Sequence, residues 1–190
     1  SKDNINKAYN LISISKVRNE MIIDDVITCV ARKQTPVILT RFKEHAKFLH
    51  DALKEKADHV FLLYGDNSDK ENAEIRVKLK QIPENESLIL VATGQKIGEG
   101  FDFPRLDVLM LAAPVSFEGR LEQYVGRLNR DYVGKEAVYV YDYIDSHVRY
   151  FDKMYAKRMR TYRKMGFSIW TQELQPKQII NAIFDSVNYT

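Results

Sequence analysis

The sequence predicts an α/β fold: a parallel sheet with helices packed on both faces. Short apolar runs alternate with longer stretches of helical period between residues 37 and 145, which is the rhythm of strand, crossover helix and strand. Those runs are apolar almost throughout, as strands covered on both sides must be. At 190 residues, the chain is long enough for one such domain with a buried core and a small extension.

The strands are expected at residues 37–40, 60–64, 88–92, 108–112 and 137–141. Helices are expected at 16–33, where Val17, Met21, Val26 and Val30 recur at helical spacing, and at 43–56, 69–81 and 118–129. Ser68 with Glu71 three residues later makes a capping box, so the helix at 69 has a marked start. Residues 1–15 show no clear period and read as a linker or the remnant of a preceding domain. The sheet domain then occupies 16–145, and a basic, mainly helical extension occupies 146–190. Within that extension 167–170 reads as a short extended piece and 176–187 as a final helix. No internal repeat or low-complexity tract is present.

Composition narrows the setting. The apolar share of 45% is ordinary for a globular protein. No apolar run is long enough to span a bilayer, and no charged-then-apolar leader opens the chain, so neither membrane insertion nor secretion is expected. Cys29 is the single cysteine. It rules out an internal disulfide, points to the reducing cytoplasm, and sits among Val26, Ile27 and Val30 as a buried apolar thiol should. His45, His50, His59 and His147 are scattered without ligand spacing, so no metal site is expected, and each reads as a surface or half-buried residue.

The net charge of +3 says little, but its distribution says more. Arg149, Lys153, Lys157, Arg158, Arg160, Arg163 and Lys164 share their stretch with one acid, Asp152. Such an excess can neutralise phosphates or can form a solvated helix face.

Ligands of an open parallel sheet sit beyond the carboxyl ends of its strands. Two segments there stand out. After the third strand, Gly94, Gly98 and Gly100 allow close backbone approach and expose amides to an anion. Thr93 adds a hydroxyl at the strand end, and Asp102 adds a carboxylate suited to sugar hydroxyls. The plainer account is a glycine-rich turn with a capping aspartate. In the helix from 118, Leu121, Tyr124, Val125 and Leu128 form an apolar face. Gln123, Gly126, Arg127 and Arg130 fall at i, i+3, i+4 and i+7 on the other. Two neighbouring guanidiniums suit a polyphosphate. They also suit an exposed polar face with Arg127 paired to Asp131.

In this order the segments resemble the carboxy-terminal RecA-like domain of superfamily-two helicases. VILTRFKEHAKFL looks like that family's motif IV, LLYGDNS like the strand-glycine segment after it, and LILVATGQKIGEGFDFP like motif V. LEQYVGRLNR has the Gln-x-x-Gly-Arg-x-x-Arg form of motif VI. The resemblance covers over half the chain and implies a RecA-like sheet. It also implies roles, residue by residue. Gln123, Gly126, Arg127 and Arg130 would face ATP held with Mg²⁺ by an N-terminal RecA-like domain, with Arg127 or Arg130 as the finger on the γ-phosphate. Gly100 and Asp102 would line the nucleotide. Thr40, Arg41, Thr93 and Gly94 would hold a nucleic-acid backbone, extended by Lys153 and Lys157.

Glu122-Gln123 stands where DEAD-box proteins carry His-Arg, and the motif V segment is longer than theirs. The form is closer to helicases of the restriction-enzyme and DNA-repair type, which implies DNA over RNA. No stretch fits the phosphate loop Gly-x-x-x-x-Gly-Lys-Ser/Thr; Gly134-Lys135 is followed by Glu136 and lacks the earlier glycine. No strand ends in an Asp-Glu pair. The chain is therefore expected to be half of a motor, silent as an ATPase by itself. The alternative is a nucleic-acid-binding or interaction module that has kept only the fold.

Overall fold

The computed structural model describes residues 2–94, 102–115, 118–128, 135 and 137–171. The elements run α1 (Lys2–Ile14), α2 (Lys16–Ala31), β1 (Pro36–Thr40), α3 (Lys43–Leu53), β2 (His59–Leu63), α4 (Asp69–Gln81), β3 (Leu88–Thr93), β4 (Val108–Leu111), α5 (Glu118–Leu128), β5 (Tyr139–Asp142) and α6 (Arg149–Lys164). The strands form a five-stranded sheet in the order β2-β3-β1-β4-β5, and every pairing is parallel.

Side chains alternate across a strand, so each strand feeds two separate cores. Val37, Leu39, Leu88, Leu90, Leu109 and Leu111 face α4 and α5 in one cluster. Ile38, Ile89, Val91, Val108 and Met110 face α2 and α3 in the other. Strands β1, β3 and β4 are buried at every position, which accounts for their continuous apolar sequence. Cys29 belongs to the second cluster as a free, fully buried thiol, and burial raises its pKa.

The expected elements are all present among the described residues, with shifted ends. β5 begins at Tyr139, two residues later than its apolar run, and α3 stops at Leu53. The largest departure is at the start. Residues 2–14, which show no clear period in the sequence, form helix α1. Tyr9 and Ile12 from α1 pack with Phe151 and Met154 from α6 and with Ala113. Helices near the two ends of the chain thus meet beside the carboxyl edge of the sheet. Residues 167–170, expected as a short extended piece, follow α6 without joining the sheet: Phe167 packs edge-on against Tyr162 at 6.0 Å, and Trp170 is 92% exposed. The final helix expected at 176–187 lies outside the described residues.

The capping box is present as the sequence predicts. Glu71 N–H donates to Ser68 Oγ at 3.1 Å, and Ser68 N–H donates to Glu71 Oε2 at 2.6 Å. Replacing Ser68 with alanine is expected to lower the urea midpoint by an amount equivalent to about 1 kcal/mol with an unchanged m-value, and Ser68→Gly by only a few tenths. Equal losses for the two variants would show that the hydroxyl is not the stabilising group.

Candidate nucleotide and nucleic-acid interface

The carboxyl edge of the sheet is where the motif residues gather. Thr40 ends β1, Thr93 ends β3, and β3 pairs with β1 so that these two residues are directly in register. Gly94 follows immediately. Its carbonyl accepts the Tyr124 hydroxyl of α5 at 3.0 Å, so the start of the glycine-rich connection touches the middle of α5. At the other end of that connection, Lys135 Nζ donates to the Pro104 carbonyl at 2.8 Å and also to the Leu128 carbonyl at the end of α5.

Helix α5 presents two faces. Tyr124, Val125 and Leu128 are buried, whereas Gln123 and Gly126 are exposed, one turn apart. An added Cβ at Gly126 would meet nothing within 4 Å, so open space lies over this face. Arg127 belongs to the helix. Arg130 and Gly100 lie outside the described residues. Asp102 is exposed, next to the buried Phe103.

Three carbonyls of the segment that follows β4 are held by side chains from three helices. The carbonyl of Ala112 accepts Nη1 of Arg18 from α2. That of Pro114 accepts the Tyr9 hydroxyl from α1 at 3.0 Å, and that of Val115 accepts Nη1 of Arg158 from α6 at 3.1 Å. Both arginines are in turn fixed by carboxylates beyond or at the end of β5. Arg18 pairs with both oxygens of Asp145 at 2.8 and 3.0 Å. Arg158 pairs with both oxygens of Asp142 at 2.7 and 2.9 Å. Tyr162 donates to the same Asp142 at 2.7 Å. Fork-to-fork pairing gives each guanidinium a fixed plane and leaves a further N–H for the carbonyl. Nothing in the sequence marks Arg18, and Arg158 belongs to the basic run expected either to meet phosphates or to form a solvated face. Arg158 is buried and paired. The signal available was the spacing of Phe151, Met154, Arg158 and Thr161 on one face of α6.

The other bases of α6 lie on the outside of the helix. Lys153, Lys157, Arg160, Arg163 and Lys164 are exposed, opposite the buried stripe. Lys164 reaches Glu122 of α5 at 3.5 Å, so this basic face borders the helix that carries Gln123. Arg41, also exposed, lies over the Tyr9 ring at 4.2 Å and near Phe42 at 6.0 Å. Stacking on an aromatic face immobilises a guanidinium while leaving edge donors for an anion.

Thr40 is different. Asn19 Nδ2 donates to the Ser13 carbonyl at 2.9 Å, which turns Asn19 Oδ1 toward His45 Nε2 at 2.8 Å. His45 Nε2 therefore carries the proton, and Nδ1 accepts the Thr40 hydroxyl at 2.5 Å. The Thr40 proton is committed inward. His45, expected at the surface or half-buried, is only 3% exposed. Burial, reinforced by the nearby Arg18 charge, pulls its pKa down to about 3. A groove of about 870 Å³ runs along β5, lined by residues such as Met21, Tyr141, Ile144, Met159 and Trp170; none of the expected site residues lines it. Among the described residues no group of three His, Cys, Asp or Glu side chains could hold a metal ion.

With this geometry in view, the comparisons with known proteins define the class. Residues 18–131, more than half of the chain, match the helicase conserved C-terminal domain, and the chain belongs to that family. Solved structures agree on the fold. The superfamily-two helicase UvsW of T4 superposes with a TM-score of 0.69 at 23% identity, over 85% of this chain and 35% of that one. The second domain of the DEAD-box helicase Mss116p, solved bound to an RNA duplex, gives 0.61 at 15% identity, over 90% and 65%.

Among curated relatives, transcript termination protein A18 of Yaba-like disease virus is 32% identical over 62% of this chain and 24% of its own length. Transcript termination protein OPG145 of vaccinia virus is 24% identical over 94% and 40%. The putative helicase 161L of invertebrate iridescent virus 6 is 32% identical over 61% and 22%. The chain thus spans well under half the length of these relatives.

Two outcomes follow from the buried groups. The unfolded chain takes up a proton on His45 near pH 6.5, while the folded chain does so only near 3. Acid therefore favours unfolding. The stability from the neutral imidazole is complete above pH 6.5 and falls by about 2 kcal/mol by pH 5. Denaturant titrations of the wild type and His45→Gln should differ in this slope; equal slopes would remove His45 as the cause. Arg158→Met leaves the part-buried Asp142 with Tyr162 as its remaining partner among the described residues and should cost about 3 kcal/mol, with Arg158→Met/Asp142→Leu recovering part of the loss. A double variant no more stable than the single one would contradict this pairing.

Proposed function

We propose that the chain is the second motor domain of an ATP-dependent helicase or translocase, with DNA favoured over RNA as its track. The observation that carries this reading is α5. One of its faces is buried against the sheet, and the other presents Gln123 and Gly126 to open space beside the exposed basic face of α6. A module that only bound nucleic acid would have no use for the Gln-x-x-Gly-Arg-x-x-Arg arrangement on such a face.

In the whole protein, an N-terminal RecA-like domain holds ATP with Mg²⁺. Closure of the two domains brings Arg127 or Arg130 to the γ-phosphate, where a guanidinium stabilises charge developing in transfer. Gln123 lies on the same helical face, and Asp102 is placed for the ribose. Thr93, Gly94 and Arg41 grip the backbone of the strand, and Lys153 and Lys157 extend that track. Thr40 stands in register with Thr93 at the same edge, its hydroxyl proton held by His45. Such contacts follow phosphates without reading sequence. Hydrolysis releases closure, and the strand advances between two unequal grips. The poxvirus relatives, named for transcript termination, favour work on nucleic acid during transcription, where DNA is the continuous track.

In the full-length protein, Arg127→Ala and Arg130→Ala should be compared for ATP turnover. Loss of the finger is expected to lower kcat at least roughly a hundredfold while the KM for ATP changes only several-fold. Turnover close to wild type in both variants would remove the finger from this domain. Neutralising Lys153 and Lys157 together should flatten the salt dependence of DNA binding. An unchanged dependence would take α6 out of the track.

A further inference from the structure

We infer that Tyr124 is a positioning residue that mechanically joins the strand-gripping segment at Thr93–Gly94 to the ATP-facing helix α5. The inference rests on the motor reading above and deepens it by naming the bond through which one site acts on the other.

Tyr124 lies on the buried face of α5, and its hydroxyl donates to the Gly94 carbonyl at 3.0 Å. A phenylalanine ring would fill the same volume, so the hydroxyl is not needed for packing. The two positions specify each other. A Cβ on Gly94 would lie 2.9 Å from Tyr124 Oη but 3.7 Å from Cζ. Among the described residues only the hydroxyl therefore excludes a side chain at 94, and that hydroxyl ends a buried, rigid ring that cannot move aside cheaply. The contact is also placed to transmit motion. The 94–104 connection is bonded to the α5 side at both ends, through Tyr124 at Gly94 and through Lys135, which bridges the Pro104 and Leu128 carbonyls. Between them, Phe103 packs in the same cluster as Tyr124 and Leu128. A displacement of the connection when a strand binds is carried to α5 by a short, directional bond, and α5 carries Gln123 and Arg127.

The test uses the full-length protein with Tyr124→Phe, Gly94→Ala and the double variant. It reads ATP turnover with and without single-stranded DNA, the KM for ATP and the thermal midpoint. Tyr124→Phe is expected to lower DNA-stimulated kcat about fivefold or more, with the KM for ATP and the midpoint near wild type. Gly94→Ala should cause a loss at least as large, because its methyl drives the hydroxyl away. The two losses should be less than additive in the double variant, since both substitutions remove the same contact and, among the described residues, the methyl without the hydroxyl meets ring carbon at ordinary contact distance. Full stimulation in Tyr124→Phe would overturn the inference, as would additive losses in the double variant or a loss that tracks a lowered midpoint. A wild-type protein showing no DNA-stimulated turnover would instead refute the motor reading on which the inference rests.

Discussion

The four residues that lead from β4 toward α5 are the hinge on which the rest of this structure depends. The backbone carbonyls of Ala112, Pro114 and Val115 are each satisfied by a long side chain from a different helix, Arg18 of α2, Tyr9 of α1 and Arg158 of α6. Buried backbone acceptors must find donors. Here all three donors come from outside the sheet, and two of them are locked by bidentate carboxylates beyond or at the end of β5. Buried ion pairs of this kind add little net stability, but their geometry is exacting. What they provide is a fixed departure point for α5.

That constraint gives α1 and α6 a purpose. Both lie outside residues 18–131, the part that matches the helicase C-terminal family, yet each supplies one of the three donors. Tyr9 does two jobs at once: its hydroxyl holds Pro114, and its ring face supports the Arg41 guanidinium. Phe151 packs against the same ring at 4.7 Å. The exposed side of α6 meanwhile sets a row of lysines and arginines next to α5. One helix thus braces the segment after β4 from within and presents an exposed basic face from without.

Much of this was legible in the sequence because the relevant patterns are short-range. The sheet showed itself as apolar runs separated by helical periods. The Ser68 capping box needs only a four-residue window, and the motif segments at 88–104 and 121–130 are contiguous. The parts that were not legible depend on partners far away in the chain. Helix α1 buries only a narrow stripe at Tyr9 and Ile12 while Ile14 is 68% exposed, so its period is blurred until α6 is present to define the face. Arg158 looks like any other base in a charged run, and only its distance to Asp142 separates it from Lys157. His45 and Thr40 read as independent residues. Their hydrogen bond, and the Asn19 amide that sets the imidazole tautomer, arise from the packing of α2 against α3.

On the function proposed above, this domain lends its arginines to a nucleotide that another domain holds. That role is tested most directly by measuring ATP turnover by the 190-residue chain and by the full-length protein, each with and without single-stranded DNA. The expected result is no turnover by the chain under either condition and DNA-stimulated turnover by the full-length protein. DNA-stimulated hydrolysis by the purified chain alone would contradict it, because the phosphate-binding site would then have to lie within these residues.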